Sequence, residues 1–118
     1  MDSKKAAGNA GEAFAAACLE RAGYRIIARN FTIRQGEIDL IAANAQYLVF
    51  AEVKTRRPGS MVSAEEAVDY HKQRRLRTAG EHYLMKYPSE LQPRFDVLCV
   101  EHAPDGKLKL TNWIENAF

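Results

Sequence analysis

Gly36-Glu37-Ile38-Asp39-Leu40-Ile41-Ala42, and then Val49-Phe50-Ala51-Glu52-Val53-Lys54-Thr55-Arg56, are the two stretches on which the fold turns. Both carry the β-branched, aliphatic and aromatic residues of buried strands. Asp39, Glu52 and Lys54 interrupt them. A charge in such a place is costly unless it is paired or holds a metal. The short Asn44-Ala45-Gln46 connection predicts antiparallel neighbours. Parity then matters. An even loop, either Ala45-Gln46 or Asn44 to Tyr47, sets Asp39 across from Glu52 on one face. An odd loop sets them on opposite faces unless a bulge intervenes. Lys54, two residues beyond Glu52, projects from the same face. Strands lie about 4.8 Å apart, so with an even loop the two carboxylates can share one cation.

Working outward, Ser3 caps a helix that runs to about Ala22 and stops at Gly23. Ala7, Ala10, Phe14, Ala17, Cys18 and Arg21 follow its period and predict its buried stripe. Gly8 and Gly11 predict a close backbone approach there. Tyr24 to Ile33 reads as a strand. Downstream, Arg56-Arg57-Pro58-Gly59-Ser60 reads as a loop, and Ser63-Ala64-Glu65-Glu66 matches a capping box that opens helical structure. That helical region ends near Tyr87, before Pro88, with Leu76, Ala79, Tyr83, Leu84 and Tyr87 toward the core. Pro93 precedes a strand from Phe95 to Glu101. Asp105-Gly106 turns the chain into a last strand, Leu108 to Ile114. The order αβββαββ predicts an α/β sandwich, a central mixed β-sheet flanked by helices, in one domain over residues 1–118.

Apolar content of 47% and charged content of 27% suit a globular domain, large enough to bury a core. A net charge of +2 is too small to prove a nucleic-acid partner, so the placement of charge must carry that argument. Cys18 and Cys99 sit far apart in apolar contexts with no CxxC or Cys/His pairing. Buried free thiols are expected, and zinc is not. No segment approaches the roughly 20 apolar residues of a membrane span, and the first ten residues lack the apolar core of a signal peptide. A cytoplasmic protein with no membrane partner is the expectation.

Glu-x-Lys by itself is a common pattern. Its place at the end of an apolar strand, beside a second strand broken by an aspartate, leaves two readings open. One is a metal-dependent phosphodiesterase site of Asp39, Glu52 and Lys54. The other is a structural ion pair of Lys54 with Asp39 or Glu52. Glu37 alternates with Asp39 and is a candidate to support it from behind. Hard oxygen ligands would favour Mg²⁺ or Mn²⁺, which keeps several waters and needs few protein ligands. His71-Lys72-Gln73-Arg74-Arg75-Leu76-Arg77 is the densest basic run. Lys72, Arg75 and Arg77, with Arg56 and Arg57 leaving the Lys54 strand, predict a phosphate-binding stripe, against the plainer reading of a solvated helix face. His71, His82 and His102 show no ligand spacing. Asp96, inside an apolar strand, is expected to pair with an arginine, and Trp113 to pack the last strand on the core.

Gly36-Glu37-Ile38-Asp39-Leu40-Ile41 together with Phe50-Ala51-Glu52-Val53-Lys54-Thr55-Arg56 resembles the bacterial family called UPF0102 or YraN. So do Gly11-Glu12, Gly23-Tyr24, Arg29-Asn30 and Arg94-Phe95-Asp96-Val97. The pattern is similar to the PD-(D/E)xK nucleases and, among these, to archaeal Holliday-junction resolvases. Ile38 stands where the superfamily's name has proline, which removes no ligand. The resemblance implies a restriction-endonuclease-like fold and a nuclease site. It implies that Asp39 and Glu52 bind the metal, that the Val53 carbonyl adds a ligand, and that Glu12 completes the site from the first helix. The expected function is a metal-dependent, structure- or end-selective DNA nuclease with a role in repair or recombination. A non-catalytic nucleic-acid-binding module and an interaction protein built on a salt-bridge cluster stand as the alternatives. A homodimer is left open.

Overall fold

The computed structural model describes residues 3–59 and 68–118, with side chains described from Gly8 onward. Helix α1 (Ser3–Arg21) leads into strands β1 (Arg25–Ile33), β2 (Gly36–Ala43) and β3 (Tyr47–Arg56). Helix α2 (Tyr70–Lys86) and strands β4 (Gln92–His102) and β5 (Leu108–Ile114) follow. The strands form one sheet in chain order. Neighbours are antiparallel except β3 and β4, whose parallel ladder runs from Tyr47↔Gln92 to Arg56↔Glu101. A parallel pair needs a crossover, which here contains α2. The order αβββαββ and the mixed sheet flanked by helices are those of the restriction-endonuclease-like fold. Among the described residues no helix is long and apolar enough to cross a membrane.

Alternation sorts the apolar residues onto two faces of the sheet. Ile41, Leu48, Phe50 and Val97 pack under α2 against Leu76, Ala79 and Tyr83. Leu40, Ala42, Val49, Ala51 and Leu98 pack against Ala15, Ala16 and Leu19 of α1. Each large aliphatic or aromatic side chain so buried contributes about 1.5–3 kcal/mol of transfer free energy. Leu76, Ala79, Gly80 and Tyr83 form the apolar stripe of α2. Tyr87, expected on that stripe, instead caps the helix and is largely exposed. The helix starts at Asp69, whose carboxylate accepts from the Lys72 N–H at 2.9 Å. The expected capping box at Ser63–Glu66 lies outside the described residues.

Helix α1 presents a different face from the one expected. It buries Gly11, Ala15, Ala16 and Leu19, while Ala17 and Arg21 are exposed. Alanine on every side gives this helix little contrast to read. What fixes its face is the approach at Gly11, where a Cβ would fall onto the Thr55 hydroxyl of β3. Gly8 meets nothing within 4 Å, so the close approach belongs to Gly11 alone.

The β2–β3 turn is Ala45-Gln46, an even loop. The Asn44 side-chain oxygen accepts from the N–H groups of Gln46 and Tyr47, and the Asn44 N–H donates to the Tyr47 carbonyl. The ladder runs from Ala43↔Leu48 to Leu40↔Ala51 and ends there. One step further the same register sets Asp39 across from Glu52. Beyond that step β2 stays paired with β1, and β3 with β4, so the sheet opens between them. The β2 strand also changes phase here: Ile38 and Ile41, three positions apart, both pack under α2. Across from Asp39, Asn30 of β1 has φ 53°, a left-handed conformation that asparagine tolerates better than most residues.

Candidate active site

The opening in the sheet gathers charge from four elements. Asp39 comes from β2, Glu52 and Lys54 from β3, Glu12 from α1 and Lys72 from α2. The Val53 N–H, left without a ladder partner on β2, donates to Asp39 Oδ2 at 2.8 Å. That bond fixes the Asp39 carboxyl at the edge of the gap. Glu52 Oε1 takes two ammonium groups, Lys54 Nζ at 3.2 Å and Lys72 Nζ at 2.8 Å. The Glu52 side chain is only 6% exposed and Lys54 12%, whereas Lys72 keeps 38%. Glu12 lies near enough to Asp39 for the two carboxyls to act on each other's charge. In the amide orientation that satisfies its neighbours, Asn30 donates to Glu12 Oε2 at 3.3 Å and Glu37 Oε1 at 3.0 Å.

The electrostatics follow from carboxyls that act on one another's charge in a part-buried place. Burial, then repulsion from Glu52, push the Asp39 carboxyl up to about 8, against the opposing pull of the Val53 N–H. Burial and repulsion from Glu37 also raise Glu12. Burial, followed by the neighbouring Lys72 ammonium, lowers Lys54. Burial would lower Lys72 as well, but its hydrogen bonds to Glu52 and Lys54 outweigh this and leave it raised. Near neutral pH, therefore, Asp39 holds a proton at the place where its charge would repel that of Glu52.

That arrangement fits a divalent cation of the hard-oxygen class. Such an ion can replace the proton on Asp39 and relieve the repulsion that keeps it there. Among the described residues no three His, Cys, Asp or Glu side chains are assembled to hold a metal by themselves. Mg²⁺ does not require such a cage, because it retains waters and takes the rest of its shell from substrate phosphate.

Asp39 and Glu52 line a cleft of about 1240 Å³ between the β1–β2 turn and α2, with Arg34, Lys72, Arg74 and Arg75 also in its wall. Gly36 brings that turn onto α2, where a Cβ would meet the Arg75 carbonyl oxygen at 2.9 Å. Of the basic residues singled out in the sequence, Lys72 and Arg75 line the cleft, and Arg56, Arg57 and Arg77 do not. The Arg56 guanidinium donates to the Thr55 carbonyl, and that of Arg77 lies 5.9 Å from the Phe118 ring. Lys72 contacts Glu52 directly rather than standing free. Glu37 is exposed and joined to Glu12 through Asn30. Val53 is tied to the site by its N–H. The sequence reading missed Arg34, Arg74 and Asn30. The clue to Asn30 was an asparagine within an aromatic and β-branched run.

Asp96 pairs with an arginine, as expected, away from this cleft. Arg94 makes a two-pronged contact with Asp96 at 2.9 and 2.8 Å and also donates to the Tyr24 hydroxyl. The Trp113 indole and the Asn116 N–H complete the shell around Asp96. Every partner is supplied, which is what a buried ion pair needs to persist. Cys18 and Cys99 form no disulfide, as expected; Cys99 is buried, whereas Cys18 is only half-buried.

Fold and site together define an α/β domain of restriction-endonuclease-like architecture with an acidic pair and a lysine at a parting of its sheet. The chain belongs to the family described as Uncharacterised protein family UPF0102, whose model matches residues 11–100. It is 53% identical to a UPF0102 protein of Symbiobacterium thermophilum over 94% of each chain. It is 46% identical to one of Alcanivorax borkumensis, over 100% of this chain and 95% of the relative. A third, from Porphyromonas gingivalis, is 40% identical over 94% of this chain and 82% of its own. The matched span contains Glu12, Asp39, Glu52, Lys54 and Lys72.

Proposed function

We propose that this protein is a metal-dependent nuclease that hydrolyses phosphodiester bonds in DNA, acting on branched or end structures. The observation that carries the reading is the meeting of Asp39 and Glu52 at the opened sheet, inside a cleft whose wall holds Arg34, Arg74 and Arg75. In this account Asp39 and Glu52 hold the cation, with Glu12 supporting Asp39 from α1 and the Val53 carbonyl within the same strand. Mg²⁺ or Mn²⁺, when bound, supplies polarisation of the phosphoryl oxygen and a more acidic water. Lys54 stands beside Glu52 and is positioned to orient the attacking water and stabilise charge developing on phosphate. Its lowered pKa brings it closer to proton exchange at working pH. The arginines position the backbone of the substrate without reading its sequence.

The ion-pair reading also has an observation in its favour: Glu52 already carries two lysines. Three results separate the readings. Incubation with branched, flapped and single-stranded DNA in Mg²⁺ or Mn²⁺ should give cleavage that chelator stops and Asp39→Asn abolishes. No cleavage of any substrate, together with no metal binding, would leave a structural salt-bridge cluster. Metal-independent, salt-sensitive DNA binding without cleavage would favour a non-catalytic binding module.

A further inference from the structure

Lys72 holds a position that its sequence context does not suggest. It belongs to a basic run and would be expected to project toward solvent. Instead its ammonium lies 2.8 Å from Glu52 Oε1, closer than the Lys54 ammonium on the same oxygen. The two lysines differ in what holds them. Lys54 is 12% exposed and its backbone belongs to the β3–β4 ladder, opposite Cys99. Lys72 is 38% exposed, on a helix whose backbone is fixed by the Asp69 cap and by Leu76 one turn on. Its side chain has four rotatable methylenes and opens onto the cleft that Arg75 also lines. The helix can stay while the ammonium leaves.

We propose that Lys72 is a displaceable counter-ion which occupies the metal position of Glu52 until a divalent cation takes its place. This rests on the metal-site reading above. One oxygen of Glu52 cannot keep two ammonium contacts and also serve a divalent ion, because like charges would be packed around it. The more exposed lysine loses less on departure and is the one to go. Released, it stands in the cleft beside Arg75, where it adds a cation for substrate phosphate once the metal is loaded. Metal binding and substrate binding are then linked through one side chain.

Two measurements test this on the intact protein. Lys72→Met keeps the length and apolar stem of the side chain and removes its charge. Calorimetric titration should show Mn²⁺ binding about two- to five-fold tighter than in wild type, the range for a part-exposed ion pair. In wild type, acylation of the Lys72 amine, followed by peptide mass spectrometry, should increase several-fold when Mn²⁺ is added and stay unchanged in Asp39→Asn. This second arm needs no Lys72 variant to fold. Mn²⁺ bound no more tightly by Lys72→Met, or Lys72 acylation unmoved by Mn²⁺ in a wild type that binds it, overturns the counter-ion role and leaves the metal site standing. Absence of Mn²⁺ binding in both proteins overturns the metal site and this inference with it.

Discussion

Asp39 shows how a single side chain can set the pH behaviour of the domain. The folded state keeps its proton up to about pH 8. The unfolded chain releases it near about 4. Folding therefore takes up a proton between those values, and the protein loses stability as pH rises through that window. Asn at this position still accepts the Val53 N–H bond and cannot ionise. Asp39→Asn should flatten the fall and melt at higher temperature than wild type at pH 8 in chelator. Parallel melting curves from pH 4 to 8 would show that Asp39 carries no such strain. Lys54 behaves differently. Reading the sequence places it at the end of an apolar strand, as a charge that needs a partner. It is mostly buried against Glu52, so Lys54→Ala should abolish the proposed cleavage and also lower stability by about 1–2 kcal/mol. Denaturant titration separates the two effects, and a variant as stable as wild type would contradict the ion pair.

At the level of elements, the strands were the most legible part. Asp39 and Glu52 stood out as charges in apolar runs, and the two-residue turn at Ala45-Gln46 has the even count that aligns them. The strand starting at Leu108 has the expected limits, while β4 begins at Gln92 rather than Phe95. Pairing with β3 draws Pro93 into the ladder, a tertiary effect that local propensity does not contain. The face of α1 was not legible, because its alanines look alike from all sides. Nor was the Lys72–Glu52 contact, which joins residues twenty positions apart on different elements. Arg34 and Arg74 became visible as cleft residues only once Gly36 had laid the turn against α2. The Gly11 approach gives an element-scale test. Gly11→Ala should destabilise by about 1–3 kcal/mol through overpacking. Adding Thr55→Ala removes the hydroxyl in its way and should recover much of that loss. A double variant no better than the sum of the singles would mean that α1 does not press on β3 here.

Across the whole molecule, two charged clusters divide the labour. The Arg94–Asp96 network is fully hydrogen-bonded and buried, and it ties Tyr24, β4 and the stretch after β5 together. Breaking it by Arg94→Met should cost about 3–5 kcal/mol, because Asp96 would be left buried and unpaired. The Asp39–Glu52 cluster is the opposite kind of site, with carboxyls crowded in a part-buried place that opens to a basic cleft. The most direct test of that difference is the proton count of Mn²⁺ binding at pH 7, from calorimetry in two buffers of different ionisation enthalpy. An Asp39 carboxyl with a pKa of about 8 is mostly protonated at that pH, so wild type should release close to one proton for each Mn²⁺ bound. Asp39→Asn should neither bind comparably nor release one. Binding without proton release, or equal affinity in both proteins, would contradict the account of Asp39 and Glu52 as the cation site.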